Sequence, residues 1–271
     1  MEYIAVMNMI EFFGTVIKPR IVKGKYMFAP LGNQKINENI FALRDKDVNA
    51  FIYKKGGSQI AIDCGYKNCG NIQNALSQLG LAADATTDVF LTHLDLDHAG
   101  GADKRCTKVY PRAAVHIGKT EEGYITNILA RKKILFIKLK TPIQLDGTYR
   151  TLADKEVIHC GDITVQALLT PGHTMGHLCY LVDGKYLFTG DTIILVQGVG
   201  YAFYPLWNID TDQLAQSLRA LKGLQNIIMV ITAHSGYTTD ASLAFENTDH
   251  SPDYTKKDFK VCDNAPYNPY I

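Results

Sequence analysis

No stretch of the 271-residue chain is apolar over the length needed to cross a bilayer. Neither sign of charge is in excess. Lys and Arg number 28 against 27 Asp and Glu, a formal net charge of +1. Such a balance gives no electrostatic reason to expect nucleic acid or an anionic membrane as partner. The six cysteines, at positions 64, 69, 106, 160, 179 and 262, contain no Cys-x-x-Cys pair. That removes the zinc-ribbon pattern and argues against a disulfide framework. Scattered thiols fit a reducing cytoplasm. The first residues carry Glu2 and Glu11 and lack a basic start and a small-residue cleavage site, so no signal peptide is expected. Repeats and low-complexity segments are also missing. With 46% hydrophobic residues the chain has ample material for the core of a single domain, with its body over about 26–240 and an extended tail over about 250–271.

Against this plain background one stretch stands out, Thr92-His93-Leu94-Asp95-Leu96-Asp97-His98-Ala99-Gly100-Gly101. The apolar run Val89-Phe90-Leu91 before it reads as a buried strand, and the glycines after it as a turn. The two imidazoles and two carboxylates therefore sit on a loop leaving a strand, where an irregular backbone turns several side chains towards one centre. Carboxylates held so close repel one another unless a cation lies between them. The mixed nitrogen and oxygen set suits zinc, iron or manganese.

Patterning elsewhere predicts short strands and few helices. Tyr26 to Leu31 reads as a strand. Asn49–Tyr53 and Gln59–Ile62 read as a hairpin closed by the glycines at 56 and 57. Asp63 follows the second of these strands. It is a turn residue by default, or an orienting hydrogen-bond acceptor for the metal loop if the two strands end on one edge. Cys64 and Cys69 follow on the same loop. A helix is expected over Asn71–Leu79 with Asn71 as N-cap and Gly80 as stop. A strand is expected over Val109–Ile117 and a helix from Thr120 to about Ala130. Arg131 to Lys140 alternates basic and apolar residues, which reads as a lid or insertion with its basic side chains in solvent, or else available to an anionic substrate. Two strands flank Cys160-Gly161-Asp162 within Lys155–Leu169. A second hairpin, Leu178–Val182 with Tyr186–Phe188, turns at Asp183-Gly184. The strongest helix is Asp210–Leu221, opened by the capping pair Asp210 and Gln213. Ile227–Ile231 is a buried strand. The expected result is two sheets packed face to face, with helices outside.

Four polar loops, containing residues 93–98, His173, Asp191 and His234, each follow a strand-like run. If those strands end on one edge, His93, Asp95, Asp97, His98, His173, Asp191 and His234 converge, enough for two metals with positions left open for substrate. In this order and spacing the chain resembles the metallo-β-lactamase superfamily. The pattern is His93-x-Asp95-x-Asp97-His98, then His173 after Pro171-Gly172, Asp191 after Gly190, and His234 after a strand. Asp63 matches the family's early aspartate.

The resemblance implies an αββα sandwich in the α/β (α+β) class. It also implies two divalent metal ions, zinc first with iron or manganese as alternatives. By family role, His93, Asp95 and His173 would hold one metal, and Asp97, His98 and His234 the other. Asp191 would bridge them, and a hydroxide shared between them would attack a lactone or ester carbonyl of a small molecule. Asp97 is the candidate to orient that nucleophile and carry its proton. Asp95 departs from the family pattern, which usually has His there. That departure moves the site towards harder metals and keeps a di-iron redox or persulfide-dioxygenase reading open. A non-catalytic metal-binding protein is the third reading.

Within the superfamily the acyl-homoserine-lactonase branch is closest in look, although Ile194 stands where that branch usually has Tyr. Tyr201, Phe203, Tyr204 and Trp207 are candidates for an apolar pocket. His177 is expected to support the site rather than bind metal, and His116, His159 and His250 to be ordinary residues. Homodimerisation is expected only by analogy with the family.

Overall fold

The computed structural model describes residues 12–24, 27–67, 70–134, 137–255 and 259–261. Its layering follows from the two-residue period of short apolar strands, which sends successive side chains to opposite faces of a sheet. The first sheet begins with β1 (Gln34–Lys35), β2 (Ile40–Asp45), β3 (Val48–Lys55), β4 (Ser58–Ile62), β5 (Asp88–Phe90) and β6 (Ala114–Gly118). The chain then makes a separate hairpin of β7 (Lys132–Ile134) and β8 (Ile137–Leu139) before β9 (Arg150–Leu152) closes the sheet edge beside β6. β4, β5, β6 and β9 are parallel neighbours, so β4, β5 and β6 deliver their following loops to one edge.

The second sheet has the order β10 (Val157–Cys160), β11 (Ile163–Leu169), β12 (Leu178–Val182), β13 (Tyr186–Phe188), β16 (Met229–Thr232) and β17 (Gly236–Thr238). The hairpin of β14 (Ile193–Val196) and β15 (Val199–Ala202) stands apart from it. β13 and β16 run parallel, which brings the loops after both to the same edge.

Three apolar clusters define the layers. Between the sheets lie Phe51, Ile62 and Phe90 from the first and Val165, Tyr180, Phe188 and Ile231 from the second. Their rings interlock, with Phe51 and Phe188 5.5 Å apart and Phe90 and Tyr180 5.3 Å apart. On the outer face of the first sheet, Ile52, Ala61 and Val89 pack against Ile72, Ala75 and Leu76 of a helix over Gly70–Gln78. On the outer face of the second, Cys179, Leu187 and Val230 pack against Leu214, Leu218 and Leu221 of the helix Thr211–Lys222. The fold is therefore the expected αββα sandwich, and none of its described helices is long and apolar enough to cross a membrane.

Local expectations fare unequally. Both hairpins form, and the Asp210 side chain caps the long helix by accepting from the Gln213 N–H at 2.9 Å. The helix over 70–78 begins one residue early. Asn71 lies inside it and donates to Asp45 at 2.7 Å instead of capping. The strand expected from Val109 is confined to Ala114–Gly118, because Pro111 cannot donate to a ladder. The helix expected over 120–130 is one short turn, Glu122–Ile125, after a 3₁₀ turn at Lys119–Glu121. Gly123 and β-branched neighbours weaken it, and Asn127 ends it at φ 62°.

Tyr26 lies outside the described residues, and 27–31 form no strand. Their backbone finds other partners. Ala29 N–H donates to the His234 carbonyl at 2.8 Å. The buried Asn49 side chain takes the Leu31 N–H at 2.8 Å and gives to the Leu31 carbonyl at 2.9 Å. Replacing Asn49 by Ala strands both backbone groups, so Asn49→Ala is expected to lose roughly 2 kcal/mol or more of stability. Urea unfolding followed by tryptophan fluorescence reads the loss.

Candidate metal centre

Each of the four polar loops leaves the end of a strand. His93 follows β5, His173 follows β11, Asp191 follows β13 and His234 follows β16. Two sets of ligand atoms meet there. His93, His173 and Asp191 form one set and Asp97, His98 and His234 the other, each with its ligand atoms within 4.8 Å of one another. Asp191 stands between the sets. Its Oδ1 is 3.2 Å from Nε2 of both His98 and His234, and its Oδ2 is 3.5 Å from Nε2 of His173. Asp97 Oδ2 is 3.7 Å from His98 Nε2 and 3.5 Å from His234 Nε2.

The reason these rings point inward lies in their other nitrogens. His98 Nδ1 is 2.8 Å from Asp63 Oδ2. His173 Nδ1 is 3.2 Å from Asn208 Oδ1, and His234 Nδ1 is 2.5 Å from the Asp47 carbonyl. His93 Nδ1 is 3.0 Å from Thr92 Oγ1, whose own proton goes to Asp63 at 2.9 Å. Acceptors at all four Nδ1 atoms favour the tautomer that leaves Nε2 with a bare lone pair, the arrangement that metal-binding histidines require. Nε2 of His93, His98 and His234 and Oδ1 of Asp191 are buried without a hydrogen-bond partner. Orphaned buried polar atoms are rare unless something else is meant to meet them. The donor set and its unmet atoms fit divalent metal ions.

The carboxylates dominate the electrostatics of the site. Burial opposes a charge on His98, yet Asp191, Asp63 and Asp97 drive its pKa well up. Burial pushes His173 down to about 4 and His177 well below its ordinary range. Burial opposes ionisation of Asp97, but Lys18, His98 and His234 hold its pKa down at about 2. The loop is an assembly of carboxylates that stays ionised because cations surround it.

Asp63 plays the orienting part. It sits at φ 59°, a left-handed conformation that Asp tolerates. Its side chain takes the Thr92 N–H at 2.8 Å as well as His98. His177 is no member of either ligand set. Its Nδ1 meets Thr170 Oγ1 at 2.8 Å and its Nε2 accepts from the Asp191 N–H at 3.2 Å. His116 is buried against Asp88 and Phe90, and His159 and His250 are exposed. Ile194 is buried in the apolar cluster of the second sheet. Of the aromatic candidates, Phe203 walls the site, 5.2 Å from the His173 ring and 5.8 Å from that of His234. Tyr204 serves the core and donates to the Met27 carbonyl at 2.9 Å. Cys69 lies outside the described residues, and Cys64 is a buried thiol outside any disulfide.

Three participants were not legible in the sequence. Lys18, on the helix Lys18–Gly24, bonds Asp97 and lies 3.7 Å from Asp47. Glu121 takes the Leu94 N–H at 2.9 Å and the Thr174 hydroxyl, tying the loop of His93 to that of His173. Arg131 is not in solvent, as the alternating pattern suggested. It grips Asp95 with Nε on Oδ1 and Nη2 on Oδ2, both at 2.6 Å. Asp95 lies 3.5 Å from His93 Nε2 and 3.3 Å from His173 Nε2 but belongs to neither ligand set. None of the three falls in a recognisable motif.

Removing the orienting carboxylate should loosen the site without abolishing it. Asp63→Asn is expected to weaken metal binding by about 10–100-fold, measured by competition with a chromogenic chelator.

Comparison with known proteins agrees with this geometry. The family model described as the metallo-beta-lactamase superfamily matches residues 43–234, a span that holds every residue of both ligand sets. Among solved structures, a B3 metallo-β-lactamase with an active-site glutamic acid superposes with a TM-score of 0.60 at 19% identity, over 83% of this chain and 89% of that one. A metallo-β-lactamase family protein from Thermus thermophilus gives 0.58 at 18%, over 78% of each chain. An archaeal metallo-β-lactamase superfamily protein from Sulfolobus tokodaii gives 0.57 at 21%, over 78% and 84%. At such identities these structures speak for the fold, and the family model speaks for the lineage. With sandwich, strand-end loops and matched span in agreement, the chain belongs to the metallo-β-lactamase superfamily.

Proposed function

We propose that the protein is a hydrolase with two divalent metal ions, zinc first, that opens a lactone or ester carbonyl of a small molecule. The observation that carries this reading is the Asp191 carboxylate, placed between two ligand sets whose buried ring nitrogens lack partners. His93, Asp95 and His173 would hold one ion and Asp97, His98 and His234 the other, with Asp191 shared. When bound, such a pair supplies Lewis acidity for a carbonyl and acidifies water near neutral pH.

The protein's own groups supply the rest. Asp97, ionised and at the junction of His98, His234 and Lys18, would orient a nucleophile and take its proton towards the leaving group. Phe203 beside His173 and Phe28 stacked 4.1 Å from His234 make an apolar wall. That wall lowers the local dielectric and strengthens every charge interaction inside. His177 fixes the Asp191 backbone, and so the position of the shared carboxylate.

The redox alternative draws on Asp95 as a hard ligand beside His93 and His173, with Arg131 bonding both of its oxygens. The thiols of Cys64, Cys106, Cys160 and Cys179 stand outside disulfides, in keeping with a reducing, cytoplasmic setting.

The test is metal analysis of the purified protein alongside a panel of lactones and esters. About two ions per chain are expected, with hydrolysis lost on chelation, restored by zinc, and reduced at least about 100-fold in His93→Ala. Hydrolysis that survives both chelation and His93→Ala would overturn the reading, as would oxygen consumption with iron and no hydrolysis.

A further inference from the structure

Glu121 is a fully buried carboxylate that the chemistry above leaves unused. It ends the 3₁₀ turn Lys119–Glu121 after β6 and belongs to neither ligand set. Its Oε2 accepts the Leu94 N–H at 2.9 Å, and its Oε1 accepts the Thr174 hydroxyl. Leu94 follows His93 in the chain, and Thr174 follows His173. One carboxylate therefore holds the neighbour of each histidine in the first ligand set.

Two further contacts seat the loop of His173 on the same turn. The Tyr124 hydroxyl, from the helical turn that continues it, accepts the Met175 N–H at 3.0 Å. Gly176 lies so close that a side chain there would come within 2.3 Å of the Glu121 backbone nitrogen. Glu121 then fastens the seated loop to the loop of His93. The histidines of the second set are aimed by other groups, His98 by Asp63 and His234 by the Asp47 carbonyl.

Burying a carboxylate is unfavourable unless its oxygens are met. Here two donors meet two oxygens, and both donors belong to segments that carry a ligand. Without the carboxylate the Leu94 N–H would be buried and unpaired. His93 and His173 would keep the aim that Thr92 and Asn208 give their rings but lose the tie that sets their separation. A glutamine can make the same two bonds. Its carbonyl accepts the Leu94 N–H, and its amide donates to the Thr174 hydroxyl, which accepts as readily as it donates.

We infer that Glu121 is a positioning residue for the first metal site. By bonding Leu94 and Thr174 it fixes the spacing of His93 and His173, and so the affinity of that site and not of the other. It acts through bonds in place rather than through its charge. This role rests on the two-metal reading, whatever the reaction.

The experiment titrates zinc into the full chain in competition with a chromogenic chelator, which resolves two stepwise affinities. The variants are Glu121→Ala, Glu121→Gln and Thr174→Val, with Glu121→Ala made also in a His93→Ala background. Glu121→Ala is expected to weaken one of the two ions by about 10–100-fold and to leave the other unchanged. Thr174→Val is expected to weaken the same ion by less, and Glu121→Gln to bind both ions as the wild type does. In His93→Ala, which disables the first set, Glu121→Ala is expected to cause no further loss at the remaining ion. Wild-type affinities in Glu121→Ala would overturn the role. A loss in Glu121→Gln as large as in Glu121→Ala would overturn it too, by making the charge responsible. So would an equal loss at both ions, or one that persists in His93→Ala, since either would make Glu121 a general support of the fold. If circular dichroism shows that Glu121→Ala does not fold, Thr174→Val decides, and unchanged zinc affinities there would overturn the role. Wild-type protein that takes up less than one zinc would instead sink the two-metal reading.

Discussion

Like charges and ring nitrogens without hydrogen-bond partners have been brought together in the buried centre of the site. Asp97 and Asp191 face His98 and His234 at 3.2 to 3.7 Å, with three ring nitrogens buried and without partners. Such a cluster costs a great deal unless cations occupy it. Two neighbouring features follow from the need to hold it open. Gly190 has φ 50°, and a side chain there would come within 2.6 Å of His177 Nε2 and 2.9 Å of Thr92. Only glycine lets Asp191 descend between the two sets. Around the rings, Thr92, Asn208, Asp63 and the Asp47 carbonyl fix every Nδ1, so that each Nε2 has one direction to face. The sandwich supplies strand ends on one edge, and this outer ring of acceptors supplies the aim.

Two cationic side chains complete the electrostatics from outside the sheets. Lys18 arrives on the helix before the first strand, and Arg131 at the start of the small hairpin between β6 and β9. Both lean on Trp207, one on its ring and one on its carbonyl. The candidate metal centre thus has two layers. The core loops bring donors for metal, and peripheral segments bring fixed positive charge to their rim.

The parts of this arrangement that could be read in the sequence are those governed by short-range chemistry. Apolar runs ending in His or Asp marked the strand ends, glycines at 56 and 161 with positive φ marked hairpin turns, and Asp210 with Gln213 marked the long helix. The layers followed, because alternation such as Val89 outward and Phe90 inward leaves two faces to bury. The elements that failed were the ones decided by tertiary partners. Residues 27–31 look like a strand, but Asn49 and His234 take up their backbone groups. Arg131 looks like a solvated basic residue because nothing local to it shows that Asp95 lies opposite. Lys18 is equally silent, since 79 positions separate it from Asp97. Asp95 itself was visible only as a departure from a pattern, and its partner Arg131 lies far along the chain.

The central claim is that Asp191 sits between two metal ions. Anomalous scattering from crystals of the zinc-reconstituted protein, collected on both sides of the zinc edge, tests it without recourse to any substrate. The account predicts two peaks about 3.5–4 Å apart, one on the side of His93 and His173 and one on the side of His98 and His234, with the Asp191 carboxylate between them. A single peak, or peaks that leave Asp191 uncoordinated, would contradict it.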